Sequence, residues 1–224
     1  MLPRRHGGRG VRTALALGAF LSLTARAVPL GPEELAKTCA ETEGPAHCGR
    51  LVEEIQLKRL PNLAIRDGAA LRVSLYPSGA VTFADTEALN GGRSFSLWDF
   101  ISEINAVVLY TTDGDDASFM LVQRTTGRKA ELPADPKLSP DRIRIVTADF
   151  CPTRCVNELA VWRVTRDGVR KEVSWTPGEQ WADASASWKD AGTLIVLYTR
   201  AGTAAPAKLE RKLADPGWQR QPAP

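Results

Sequence analysis

Short apolar runs separated by glycine-containing turns dominate the chain from about residue 63 onward. Apolar and polar side chains alternate at residues 71–75 and again at 81–83, with Pro77-Ser78-Gly79 between the two runs. Alternation with a period of two places the apolar side chains on one face of a strand, and Pro-Ser-Gly is typical of a tight turn. The pattern predicts a β-hairpin.

The same pattern continues to about residue 200. Further runs rich in valine, isoleucine, leucine and aromatic residues are 106–111, 119–123, 143–147, 159–164, 172–175 and 194–198. The turns between them contain glycine, at Asp113-Gly114, Thr126-Gly127, Asp167-Gly168 and Ala191-Gly192. Short strands at this spacing predict a mainly β fold built of antiparallel meanders, and not alternating strands and helices.

Residues 28–62 have a different pattern. Pro32 followed by Glu33 and Glu34 is typical of the first turn of a helix, and Gly44-Pro45 interrupts it. Residues 51–60 fit a helix and a strand equally well. We therefore expect a short N-terminal helical appendage at 28–62, a β domain at 63–218 and a disordered tail at 219–224.

The first 27 residues have the three zones of a secretory signal peptide. Four arginines precede residue 13, an apolar run occupies residues 13–24, and Ala25-Arg26-Ala27 is a small-x-small cleavage motif. The apolar run is too short for the roughly 20 residues that span a bilayer. The sequence predicts export across a bacterial-type inner membrane, cleavage after Ala27, and a periplasmic or secreted protein with no membrane span.

Removal of this leader changes the charge of the chain. It holds five of the 29 lysines and arginines and none of the 26 acidic residues, so 24 basic side chains face 26 acidic ones afterwards, a net charge of −2. Nucleic-acid binding requires basic residues concentrated on one face, and no basic run is present. We expect no nucleic-acid partner.

Four cysteines remain after residue 27, as Cys39 and Cys48 and as Cys151 and Cys155. Disulfides persist outside the cytoplasm, and two local bridges are the simplest of the three possible pairings. His47 is the only histidine after the leader, and Cys-x-x-x-Cys is not a usual zinc spacing. We expect disulfides, and neither a metal nor another cofactor.

A weak internal repeat runs through the β region. Residues 120–127 align with 161–168 at an offset of 41, each a predicted strand that enters a glycine turn. Leu138-Ser139-Pro140-Asp141-Arg142-Ile143 resembles the Ser-Pro-Asp-Gly blade opening of WD-like and Tol-type β-propellers, with Arg142 where those families usually have glycine. The resemblance covers roughly residues 104–200.

This resemblance implies a propeller-like stack of four-stranded meanders in which the Ser-Pro-Asp turn joins the innermost strand to the second. Closed propellers need about four blades, and two clear units are present, so the stack would be incomplete or open. A β-sandwich is the alternative. The resemblance itself assigns no function.

Candidate catalytic residues are few. After the leader, His47 is the only histidine that could act as the base of a catalytic triad. Paired carboxylates could hydrolyse glycosides, and the acids on or beside predicted strands are Asp99, Asp149, Glu158, Glu172 and Asp183. Three carboxylates in Asp113-Gly114-Asp115-Asp116 could bind calcium, but Asp-Gly between two strands is favoured as a hairpin turn.

Four of the six tryptophans cluster at Trp162, Trp175, Trp181 and Trp188. Trp162 lies inside a predicted strand and Trp188 stands where the resembling blade opening has proline, so both are expected in the core. Trp175 and Trp181 flank Thr176-Pro177-Gly178-Glu179, so we expect them to be exposed and available to bind a ligand or partner.

Three functions are compatible with these features. The first is a non-enzymatic binding protein of the cell envelope that recognises a protein or a cell-wall component. The second is an envelope hydrolase with paired carboxylates. The third is a structural or accessory subunit.

Overall fold

The computed structural model describes residues 29–87 and 92–220. The predicted leader and the last four residues of the predicted tail lie outside these ranges. Within them the chain forms two helices, α1 (Pro32–Cys39) and α2 (Pro45–Arg59), followed by fifteen strands. The strands are β1 (Ala64–Asp67), β2 (Ala70–Ser74), β3 (Ala80–Ala84), β4 (Arg93–Ile101), β5 (Ala106–Asp113), β6 (Asp116–Gln123), β7 (Lys129–Leu132), β8 (Lys137–Leu138), β9 (Arg144–Asp149), β10 (Glu158–Thr165), β11 (Gly168–Trp175), β12 (Trp181–Asp190), β13 (Thr193–Arg200), β14 (Pro206–Lys212) and β15 (Gln219–Arg220).

The described strands form four antiparallel sheets. Sheet I contains β1–β2–β3, sheet II β4–β5–β6–β7, sheet III β8–β9–β10–β11 with β15 beside β11, and sheet IV β12–β13–β14. Apart from β15, every sheet is a meander in chain order. The predicted mainly β fold of stacked meanders with a small helical part is confirmed, and the four sheets exclude the two-sheet sandwich.

The sheets pack in the same order as they occur in the sequence. One core joins sheets I and II and includes Leu71, Val73, Leu109 and Met120. The other face of sheet II packs on sheet III around Val108, Leu121 and Ile145. The far face of sheet III packs on sheet IV around Val161, Val173, Leu194 and Val196.

This order explains two kinds of strand pattern. Strand β5 is a continuous apolar run because both faces of sheet II are covered, whereas β14 alternates between half-buried and exposed residues because sheet IV ends the stack. The predicted hairpin at Pro77-Ser78-Gly79 joins β2 and β3, with Gly79 at φ 96°. Only glycine adopts such a backbone conformation readily.

Helix α2 settles the ambiguity of residues 51–60 in favour of a helix. Its buried residues Gly49, Val52, Glu53 and Gln56 recur at spacings of three and four and face β4. A Cβ atom at Gly49 would lie 2.8 Å from Cδ1 of Tyr110, so glycine permits this close approach. The segment predicted as an appendage therefore packs closely against sheet II through α2.

The predicted tail is wrong at its first two residues. Gln219 and Arg220 pair with Ser174 and Val173 of β11. The preceding residue, Trp218, is 8% exposed and donates from Nε1 to the carbonyl of Lys212 at 2.9 Å. The described β structure therefore continues past residue 218.

The repeat corresponds to equivalent hairpins in successive sheets. Gly127 lies between β6 and β7 of sheet II, and Gly168 lies at the start of β11 in sheet III, both with positive φ. Ser139-Pro140-Asp141 joins β8 to β9, the first and second strands of sheet III. Arg142 has φ 62°, the conformation that favours glycine in the resembling families. Membership of those families stays a prediction.

Candidate functional site

The first strands of sheets II, III and IV border a cavity of about 550 Å³. We call it the inner groove. Its lining includes residues 99–101 of β4 and residue 103 just after that strand. It also includes residues 136–140 and 142 in and around β8, residues 186–188 of β12, and Pro29. These segments are far apart in sequence, and the stacking of the sheets brings them together.

The outer edge of β4 is covered by side chains. Strand β4 is an end strand of sheet II, so none of the described strands pairs with the N–H and C=O groups of its outer edge. Gln56 Nε2 donates to the carbonyl of Trp98 at 2.7 Å, and the N–H of Leu97 donates to Glu53 at 2.9 Å. Helix α2 thus takes the place of a further strand along β4.

A buried ion cluster holds α2 in this position. Glu53 is 2% exposed and accepts hydrogen bonds from Nε and Nη2 of Arg66, both at 2.8 Å, and from Nη1 of Arg50 at 3.0 Å. Asp85 also pairs with both arginines. The buried carboxylate of Glu53 is tolerated because both of its oxygens accept hydrogen bonds.

Strand β12 borders the groove with an open edge. It is an end strand of sheet IV, ten residues long, and pairs only with β13 among the described strands. Residues 183–188 pair in continuous register between two bulges, and their side chains are small apart from Asp183 and Trp188. Trp188 is half-buried, lines the groove and donates from Nε1 to the carbonyl of Lys137 at 2.8 Å.

Two carboxylates, Asp99 and Glu103, line the groove, and Asp135 lines a neighbouring cavity that Asp99 also lines. Burial raises the pKa of Asp99, and the charges of Asp135 and Glu103 raise it further. The N–H of Phe100 and the charge of Lys137 act in the opposite direction. Lys137 forms an ion pair with Asp135 at 2.5 Å. Of the three charged neighbours that shift the pKa of Asp99, two are acidic and one is basic.

The other candidate acids lie outside the groove. Arg144 holds the pKa of Glu172 below its usual value through an ion pair at 2.8 Å. Asp149 lies opposite Glu158 across β9 and β10, and its pKa is raised, chiefly by burial. Asp183 is exposed. The sequence singled out Asp99 but missed Asp135 and Glu103, because only the stacking places them beside it.

The expectation for Trp181 is wrong. Trp181 is 2% exposed and stacks on Tyr198 with ring centroids 4.0 Å apart, with Phe150 at 4.9 Å. Trp175 is half-buried against Trp181 and under the guanidinium of Arg211. The Pro-Gly turn between the two tryptophans is at the surface, but the strands on either side direct the rings into the core between sheets III and IV. Trp188, expected in the core, is half-buried against the core between sheets III and IV and also lines the groove.

The cysteines form the two local disulfides that the spacing predicted. Cys39 is bonded to Cys48 and links α1 to α2, and Cys151 is bonded to Cys155 in the loop after β9. Asp113-Gly114-Asp115-Asp116 forms the turn between β5 and β6, with Gly114 at φ 60°, and Arg154 pairs with Asp115 and Asp116.

In residues 29–87 and 92–220, no group of three or more histidine, cysteine or acidic side chains is arranged to hold a metal ion. None of the helices in those ranges has the length and apolar character needed to cross a membrane. Comparisons of the chain with protein-family models, with curated proteins and with solved structures found no match.

Proposed function

We propose that this chain is an exported, non-enzymatic binding protein of the cell envelope, and that it binds an extended segment of another protein in the inner groove. The observation that carries the proposal is the open edge of β12 beside Trp188. A cell-wall glycan in place of a polypeptide is an alternative outcome of the test below.

An open strand edge is suited to a polypeptide partner. Its N–H and C=O groups can pair with the backbone of an added strand, and pockets alongside it can select alternate side chains. The opposite edge of sheet IV, β14, begins with Pro206 and carries exposed Lys208 and Lys212, features that discourage pairing. Between residues 183 and 188, β12 has small side chains, and Trp188 and Phe100 line the groove beside it.

Export is supported by the two disulfides, which are stable in the periplasm and outside the cell. It is also supported by the charge, apolar run and cleavage motif of residues 1–27. These features favour a periplasmic or secreted location for the binding protein.

The test uses a phage-displayed library of random 12-residue peptides, selected on the chain from residue 28. We expect selected peptides to alternate apolar and polar residues, and Trp188→Ala to weaken binding of a synthetic copy at least about 30-fold, as for the loss of a central aromatic contact. Leu197→Ala, an exposed apolar residue on β13, serves as the control and should leave affinity unchanged. Failure to select any peptide, or an equal loss of peptide affinity in both variants, would argue against the proposal. Binding of soluble peptidoglycan fragments, without binding of any peptide, would replace it with glycan recognition.

A second candidate is a carboxylate-dependent hydrolase, favoured by one observation. Asp99 and Glu103 line the same cavity, and the raised pKa of Asp99 suits a general acid. Peptidoglycan and a panel of nitrophenyl glycosides are the substrates to test. Turnover that falls at least about 100-fold in Asp99→Asn would establish this function, and unchanged or undetectable turnover would remove it.

A further inference from the structure

Another cavity, of about 240 Å³, lies where α2 ends. It is lined by residues 59–63, Phe100 and Arg124, and none of these residues is acidic. We call it the arginine pocket. Its two basic side chains differ in their partners. Arg59 donates from Nη2 to Glu34 at 2.6 Å, so a carboxylate already opposes its charge. The charge that characterises the pocket is therefore that of Arg124.

Arg124 is held where three strands end or begin. It follows β6 directly, and its Nε donates to the carbonyl of Ser74, the last residue of β2, at 2.7 Å. Its Nη1 donates to Oδ1 of Asn105, the residue before β5, at 2.9 Å. Cζ lies 5.4 Å from the ring centroid of Phe100. These contacts fix the planar guanidinium, so little side-chain freedom remains to be lost when a ligand binds.

Both acceptors of the Arg124 guanidinium are neutral. One is a backbone carbonyl and the other an amide oxygen, and within residues 29–87 and 92–220 no carboxylate pairs with it. Burial lowers the pKa of Arg124, the direction expected for a cation that is desolvated without an opposing charge. A guanidinium has more N–H donors than these two bonds use. An anion would accept charge-assisted hydrogen bonds from the others and offset the cost of desolvation.

The other walls of the pocket favour an organic anion over an inorganic one. Leu60, Pro61 and Leu63 supply apolar surface on the side of α2, and Phe100 supplies an aromatic ring beside the guanidinium. The volume of about 240 Å³ is smaller than the roughly 300–1,000 Å³ of sites for drug-sized ligands, so the ligand must be small. A carboxylate is planar and matches the fork of a guanidinium with two parallel hydrogen bonds.

We propose that the arginine pocket binds a small organic carboxylate, whose carboxyl group pairs with Arg124 and whose apolar part lies against Leu60 and Phe100. The inference does not depend on what the inner groove binds.

The test adds benzoate, a planar carboxylate with an apolar ring, to the chain from residue 28 and follows the protein by NMR. We expect saturable shifts at the amides of Leu60, Asn62 and Leu63 and at Nε–H of Arg124, with a dissociation constant of about 1 mM or lower. Benzamide, which has nearly the same shape without the charge, should bind at least about tenfold more weakly. Arg124→Gln should weaken benzoate binding by at least about the same factor. Arg128→Gln, at an exposed arginine of the same turn, is the matched control and should leave it unchanged.

The comparison of the two ligands on the wild-type protein tests the inference even if Arg124→Gln does not fold. Equal binding of benzoate and benzamide would overturn it. So would the absence of saturable shifts up to about 20 mM benzoate, equal weakening in both variants, or shifts confined to the inner groove. Inorganic phosphate that binds as tightly as benzoate would overturn the assignment to an organic carboxylate. Peptide selection is scored on Trp188 of the inner groove, so the two proposals can fail independently.

Discussion

Replacing Glu53 by alanine removes the carboxylate that joins α2 to sheets I and II. The change leaves the guanidinium of Arg66, which is only 16% exposed, without its two hydrogen bonds to Glu53, and the N–H of Leu97 without its acceptor. Removing one partner of a buried ion pair costs about 3–5 kcal/mol. Because Arg50 is 30% exposed and water can solvate it, we expect the lower part of that range, about 3–4 kcal/mol.

Urea denaturation followed by tryptophan fluorescence measures this loss. Glu54→Ala on the exposed side of the same helix is the matched control and should change the free energy of unfolding by less than about 0.5 kcal/mol. The urea dependence of that free energy should be the same for both variants, since the fold is retained. A loss below about 1 kcal/mol for Glu53→Ala would refute the view that this cluster anchors α2 to the edge of β4.

Three further predictions concern other parts of the stack. Trp181→Ala should lower the free energy of unfolding by about 3–5 kcal/mol in thermal denaturation, because the ring fills the core between sheets III and IV; a loss typical of a surface residue would contradict its burial. The double change Cys151→Ser and Cys155→Ser should cost about 2 kcal/mol for so short a loop, measured in urea, and an unchanged midpoint would contradict a constraining bridge. Glu172→Gln should destabilise the protein at pH 7 but not at a pH well below 4.5, the ordinary pKa of a glutamate. The reason is that the stability contributed by a carboxyl group with a lowered pKa is lost as the pH falls through its pKa in the folded state. A stability difference between variant and wild type that does not depend on pH would argue against the ion pair with Arg144.

Strands with large apolar side chains could be predicted from the sequence, and strands with small ones could not. Strand β5 is a run of valine, leucine and tyrosine whose type is evident from periodicity. Strand β12 alternates small alanines with Asp183, Ser185 and Ser187, and Ala184 and Ala186 pack against the core between sheets III and IV. Hydrophobic periodicity gives little signal for such a strand.

The candidate site could be predicted only in fragments. Asp99 was identified as an acid beside a strand and Trp188 as a core residue, but neither was expected to line a groove, and Asp135 was not considered. What joins them is the packing of three sheets whose first strands are separated by whole meanders in the sequence. The role of Glu53 and Gln56 along β4 likewise depends on a contact between residues more than 40 positions apart. Local patterns carry no information about either arrangement.

Amide hydrogen exchange of sheet IV, with and without a saturating selected 12-residue peptide, tests the binding site most directly. An added strand on β12 should slow exchange at least about tenfold at alternate amides between residues 183 and 188, because their N–H groups acquire carbonyl partners. The amides of β14, at the opposite edge of the same sheet, should be unaffected. Protection of β14 or of another sheet, with β12 unchanged, would contradict the assignment of the inner groove as the binding site.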